Sequence, residues 1–103
     1  MKLLELKNNK EFINIISKRK LVVVYFYSEN CEEITKKIND FLENIYNLNI
    51  LFYSVNVYKS DSIVKKNDVT TFPVLHLYKD NEFIKELFCN INNLDEILKK
   101  LYE

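Results

Sequence analysis

The apolar patterning of this 103-residue chain predicts an α/β domain, a mixed central sheet with helices on both faces. Three observations predict it. Leu21 to Tyr27 and Ile50 to Val57 are near-continuous apolar runs rich in β-branched and aromatic residues, as strands buried on both faces are. Between them Ile34, Ile38, Phe41, Leu42 and Ile45 recur with a period of 3.6, the stripe of an amphipathic helix of about four turns. Further on, Val74 to Tyr78 and Glu82 to Phe88 flank Lys79-Asp80-Asn81, whose Asp and Asn tolerate positive φ, so the pair reads as an antiparallel hairpin.

The remaining elements follow from local signals. Leu3 to Leu6 reads as a short first strand. Asn8 with Glu11 three residues on forms a capping box ahead of Phe12, Ile13 and Ile16 at helical spacing. Asn30 is the expected N-cap of the helix that carries the Ile34 stripe, with Glu33 as its partner, which puts Cys31 in the first turn. Ser60 or Asp61 caps a short helix bearing Ile63 and Val64, and Asn93 with Glu96 caps a last helix that buries Leu94, Ile97, Leu98 and Leu101. The order is βαβαβ, a short helix, then ββα, expected as one domain over residues 1–103 with no linker or repeat.

Composition narrows the function. With 15 basic and 15 acidic residues interspersed, the chain has no basic stripe or charged block, so neither nucleic acid nor a membrane surface is an expected partner. No apolar run approaches transmembrane length, and the one in MKLLELKNNK is too short for a signal-peptide core, so a cytoplasmic, reducing location is expected. Two cysteines are too few for a disulfide framework or a structural zinc site, and the single histidine, His76, sits mid-strand between Leu75 and Leu77 as a packed core residue. Neither a metal nor a cofactor is expected. Glycine is absent, which excludes Gly-rich phosphate loops and dinucleotide fingerprints and leaves left-handed backbone positions to Asn and Asp.

Cys31 is the residue with chemistry to offer. A strand, a short polar turn and a Cys at a helix start favour the thiolate, through unpaired N–H groups and the helix dipole. Glu29, Glu32 and Glu33 around it oppose the same charge, so the expected thiol is only moderately activated. Three residues on stands Ile34, so half of a C-x-x-C motif is missing.

This element order, the Cys at the second helix and the lone Pro73 just before a strand resemble thioredoxin. Residues 55–86, VNVYKSDSIVKKNDVTTFPVLHLYKDNEFIKE, are similar to the thioredoxin segment from the third strand to the final hairpin. The resemblance covers nearly the whole chain and is most specific at Phe72-Pro73 and Cys31. It implies a thioredoxin fold, a cis Pro73 facing the thiol, Cys31 as the catalytic residue, and a binding groove of Asn30, Glu32, Phe72, Pro73 and Cys89. The departures fall on the redox machinery. Asn30 replaces the family's tryptophan, Glu32-Glu33 its Gly-Pro, Ile34 its resolving cysteine, Tyr25 its buried aspartate and Cys89 a groove glycine.

Thiol–disulfide exchange proceeds through a mixed disulfide that a second thiol must release. With Ile34 in place, that thiol has to come from glutathione, another protein or Cys89. One expectation is therefore monothiol exchange at Cys31 in cell redox homeostasis, on a protein client bearing a thiol or disulfide, by a weak thiol–disulfide oxidoreductase. The other is a non-catalytic thioredoxin-fold module that binds extended segments beside Pro73. A monothiol glutaredoxin is set aside because its glutathione-cradling glycine pairs cannot exist here. Cys89, next to Leu87 and Phe88, reads as a small packed residue that leaves Cys31 alone reactive. A monomer is expected on that basis, with a disulfide-linked dimer as the alternative should Cys89 lie on the groove rim.

Overall fold

The computed structural model describes residues 3–46 and 49–103; Met1, Lys2, Asn47 and Leu48 of the expected 1–103 domain lie outside them. Among the described residues, five strands form one sheet in the order β1-β3-β2-β4-β5. These are β1 (Leu4–Glu5), β2 (Leu21–Tyr27), β3 (Ile50–Asn56), β4 (Val74–Lys79) and β5 (Glu82–Phe88). The helices are α1 (Asn9–Ile16), α2 (Glu32–Glu43), α3 (Asp61–Lys66) and α4 (Leu94–Leu101). β1 and β2 run parallel to β3, while β4 is antiparallel to β2 and β5 to β4, so the sheet is mixed as the patterning predicts.

Strand alternation divides the core in two. Val23, Tyr25, Phe52, Leu75 and Leu77 face α2 and α4, meeting Ile38, Leu42, Leu94 and Leu98 together with both cysteines. Val22, Val24, Phe26, Val55, Val74 and Tyr78 face the other way, onto Phe12 of α1 and Ile63 of α3. Helices thus cover both faces, which is why β2 and β4 carry apolar side chains in succession rather than alternation.

The capping signals fared unevenly. At α1, Asn8 Oδ1 accepts the Glu11 N–H at 2.9 Å and Glu11 Oε2 accepts the Lys7 N–H at 3.2 Å. At α2 the expected Asn30 cap is not formed. The chain leaving β2 first closes a tight 3₁₀ turn, Glu29–Cys31, in which the Cys31 N–H donates to Ser28 O at 3.1 Å. Asn30 is taken up inside that turn, and the N-cap of α2 is Cys31 itself. At α4, Asn93 does occupy the N-cap but makes no capping bond there, because its side chain ties back to the Phe88 carbonyl and accepts from the Asn90 N–H. Strand β3 stops at Asn56, one residue short of the expected Val57, where Asn56 Oδ1 accepts the N–H groups of Tyr58 and Lys59 and turns the chain. The ordered first strand is likewise only Leu4–Glu5 of the expected Leu3 to Leu6. Positive φ falls on Asp68, Asp80 and Asn81, the residues that tolerate it in a chain without glycine.

Candidate functional site

Strand register assembles the site. Val74, the first residue of β4, pairs with Phe26 of β2 on one side and with Phe88 of β5 on the other. Phe72-Pro73 leads into Val74, the Ser28–Cys31 turn leaves the end of β2, and Cys89 follows Phe88. These three segments therefore converge at one end of the sheet on adjacent strands. The Phe72–Pro73 peptide bond is cis. Phe72 and Pro73 are half-buried, and Phe72 packs edge-on against the exposed ring of Tyr58, with centroids 6.3 Å apart.

Cys31 is buried, at 5% exposure. It lies in the α2/α4-facing core with Tyr25, Leu75 and Cys89. The serine that opens its turn places Ser28 Oγ 3.6 Å from Cys31 Sγ. Tyr25, fully buried, places its hydroxyl 2.9 Å from Thr35 Oγ1, one helical turn beyond Cys31 on α2. Burial pushes the Tyr25 hydroxyl far above the ordinary tyrosine range; Thr35 opposes the rise, while Cys31 and then Cys89 add to it. Tyr25 is therefore a neutral hydroxyl, hydrogen-bonded to Thr35, where the resemblance places a carboxylate.

Cys89 is also 5% exposed. Burial pushes its thiol up to about 11, with the neighbouring Cys31 as the second cause. At neutral pH it is a protonated, packed thiol, a poor nucleophile. Asn30 and Glu32 are exposed and line a shallow polar depression of about 400 Å³ with Glu29 and Glu33, at the mouth of the site. A larger cavity of about 550 Å³ opens beside it, between Tyr27 and Asn56 at the strand ends and Glu32, Thr35, Lys36 and Asn39 along α2. Tyr27 anchors its floor through a hydrogen bond to Glu5.

All the residues singled out in the sequence, Asn30, Cys31, Glu32, Phe72, Pro73 and Cys89, thus belong to this end of the molecule. Ser28, Thr35 and Tyr58 were missed. Ser28 and Thr35 stand three residues before and four after Cys31, the spacings at which turn and helix neighbours meet, and that spacing was the available signal. His76 lies away from the site, on the α1/α3 side of the sheet. Among the described residues no group of three His, Cys, Asp or Glu side chains could hold a metal ion.

Comparison with known proteins agrees with this geometry. The thioredoxin family model matches residues 3–103. Thioredoxin 1 of Plasmodium falciparum is 30% identical over 95 residues, covering 90% of this chain and 88% of the relative. Thioredoxin 2 of the same organism is 27% identical over 99 residues and covers 91% of this chain, which spans only 63% of that longer protein. The crystal structure of Schistosoma mansoni thioredoxin superposes with a TM-score of 0.77 at 25% identity, over 96% of this chain and 94% of that one. Matched by the family model along nearly its whole length, the chain belongs to the thioredoxin family.

Proposed function

We propose that this protein carries out monothiol-type thiol–disulfide exchange on protein clients through Cys31, with glutathione as the second thiol. The observation that carries the reading is the placement of Cys31 at the N-cap of α2, with Ile34 one turn on and a buried, protonated Cys89 as the other thiol of its cluster. The relatives named thioredoxin support a redox role, and Phe72-Pro73 beside the site offers the backbone edge on which an extended client segment would lie.

In the first step the Cys31 thiolate attacks the glutathione sulfur of a client–glutathione mixed disulfide. That S–S bond breaks, the client leaves as a thiolate that takes up a proton, and Cys31 becomes glutathionylated. In the second step the thiolate of another glutathione attacks the glutathione sulfur on Cys31, giving oxidised glutathione and restoring the Cys31 thiolate. Overall, the glutathionylated client and one glutathione thiol become a client thiol and oxidised glutathione: the client sulfur is reduced as the sulfur of the incoming glutathione is oxidised, and the transferred glutathionyl sulfur stays at the disulfide level.

The test is reduction of a glutathionylated model protein by excess glutathione with and without the chain. A rate increase abolished by Cys31→Ser is expected. A second reading, a non-catalytic groove that holds extended segments, is favoured by the 5% exposure of Cys31. It predicts no rate increase together with client binding that Cys31→Ser leaves intact.

A further inference from the structure

Ser28 behaves unlike a capping serine. It precedes the 3₁₀ turn with extended backbone, φ −120° and ψ −179°, where a serine ordinarily turns its hydroxyl onto a backbone N–H of the turn. Its carbonyl accepts the Cys31 N–H, yet its side chain makes no capping bond and points to Cys31 Sγ instead. Ser28 is buried, at 7% exposure, and its hydroxyl lies 3.6 Å from the sulfur. Tyr25 approaches the same cluster from β2, its hydroxyl fixed by Thr35.

We propose that Ser28 is the hydrogen-bond donor to the Cys31 thiolate, with Tyr25, tied to Thr35, packing the buried side of the same cluster. Between a hydroxyl and a thiol either group donates. Once the thiol is ionised, sulfur can only accept, so the Ser28 O–H turns to donate and the bond becomes charge-assisted. The interaction is thus stronger with the ionised sulfur than with the thiol or with the neutral sulfur of a mixed disulfide. It favours Cys31 as attacking group and again as leaving group, when glutathione displaces it and charge returns to Sγ. In a site that lacks the family's second cysteine, that return step depends on an outside thiol. A stabilised leaving sulfur is what this step needs.

The other titratable groups around the sulfur are Cys89, from the segment after β5, and Glu29, Glu32 and Glu33 in its own turn, with Lys36 further along α2. Phe72, Pro73 and Leu75 on the β4 side do not titrate. The glutamates are exposed and solvent-screened, whereas Ser28 acts from the buried side.

The proposal deepens the exchange reading, but its test is independent of turnover. Iodoacetamide alkylation of the reduced, full-length protein is followed by mass spectrometry from pH 5 to 10 in wild type, Ser28→Ala and Tyr25→Phe, with folding checked by circular dichroism. The expected result is a midpoint moved upward and a rate at pH 7 lowered about ten-fold in Ser28→Ala, with little change in Tyr25→Phe, whose hydroxyl is bonded to Thr35. Superimposable profiles for folded Ser28→Ala and wild type overturn it. Should Ser28→Ala fail to fold, Ser28→Gly removes the same hydroxyl and decides. A shifted profile in a protein that shows no glutathione-dependent turnover keeps the Ser28 donor and removes the exchange function.

Discussion

His76 and Glu86 face each other directly across the β4–β5 pair, with Nε2 2.6 Å from Oε2. The imidazole is 3% exposed and held between the rings of Phe26 and Phe83, at centroid distances of 4.9 and 5.1 Å. Its other nitrogen lies 3.4 Å from the Tyr78 hydroxyl. A buried ring with both nitrogens engaged is a structural fixture.

His76→Ala should therefore cost about 2–4 kcal/mol of stability in urea unfolding, from the lost ring volume and the stranded Glu86. Cys31 alkylation should not change, since the pair lies on the sheet face away from α2. A stability loss below about 0.5 kcal/mol would show that the pair contributes little.

Turnover of the dithiol kind should be nearly absent. Ile34 is the third residue after Cys31 and packs against the same core cluster, so Ile34→Cys would place a second thiol within one turn of the first. Insulin-disulfide reduction should be close to background in the wild type and should rise in the variant, with a packing loss of about 1 kcal/mol. Ordinary thioredoxin rates in the wild type would mean that Cys31 has an efficient internal partner, against the one-cysteine reading.

Element type and order were legible because burial on both faces writes itself as apolar runs, as at β2 and β3, and because α2 displays an unbroken 3.6 stripe. Caps were less so. Asn8 sits at its helix terminus with a free side chain, but Asn93 is drawn off by Phe88 and Asn90, and the Asn30 cap is pre-empted by a 3₁₀ turn that depends on where β2 delivers the chain. The site's cysteine, proline and groove positions were readable from spacing and family likeness. The Ser28 and Thr35 hydroxyls were not, because a hydroxyl's role depends on which way it points, and only packing fixes that.

Alkaline pH should weaken the fold through Cys89. Its thiol is pushed from an ordinary 9.0 to about 11 by burial and by Cys31, so above pH 9 the unfolded chain loses this proton before the folded one does. The stabilisation is complete below about 9 and is lost as pH rises toward 11. Tyr102, pushed by burial from 10.0 to about 12, continues the trend at higher pH. The urea midpoint should fall steadily from pH 8.5 to 10.5 in the wild type, and less steeply in Cys89→Ala, which starts from a lower plateau. Parallel slopes in the two proteins would show that Cys89 ionises equally well in both states.

The two thiols should also separate under native labelling. Both are 5% exposed, but the residues on either side of Cys31, Ser28, Glu29 and Glu32, line an open cavity and the Ser28 hydroxyl faces its sulfur, while Cys89 clusters with Leu94 and Leu98 of α4 and is kept protonated by its surroundings. Thiolate character and access together select which thiol reacts. With oxidised glutathione at pH 7.5, non-reducing mass spectrometry should find one adduct, on Cys31, and Cys89 should react only after denaturation. Cys31→Ser should then take up nothing, and Cys89→Ser should label like the wild type. An internal Cys31–Cys89 disulfide would make Cys89 the resolving thiol, whereas a covalent dimer that disappears in Cys89→Ser but persists in Cys31→Ser would show that Cys89 reaches the surface. With such a dimer the chemistry would shift from client exchange toward redox-controlled association.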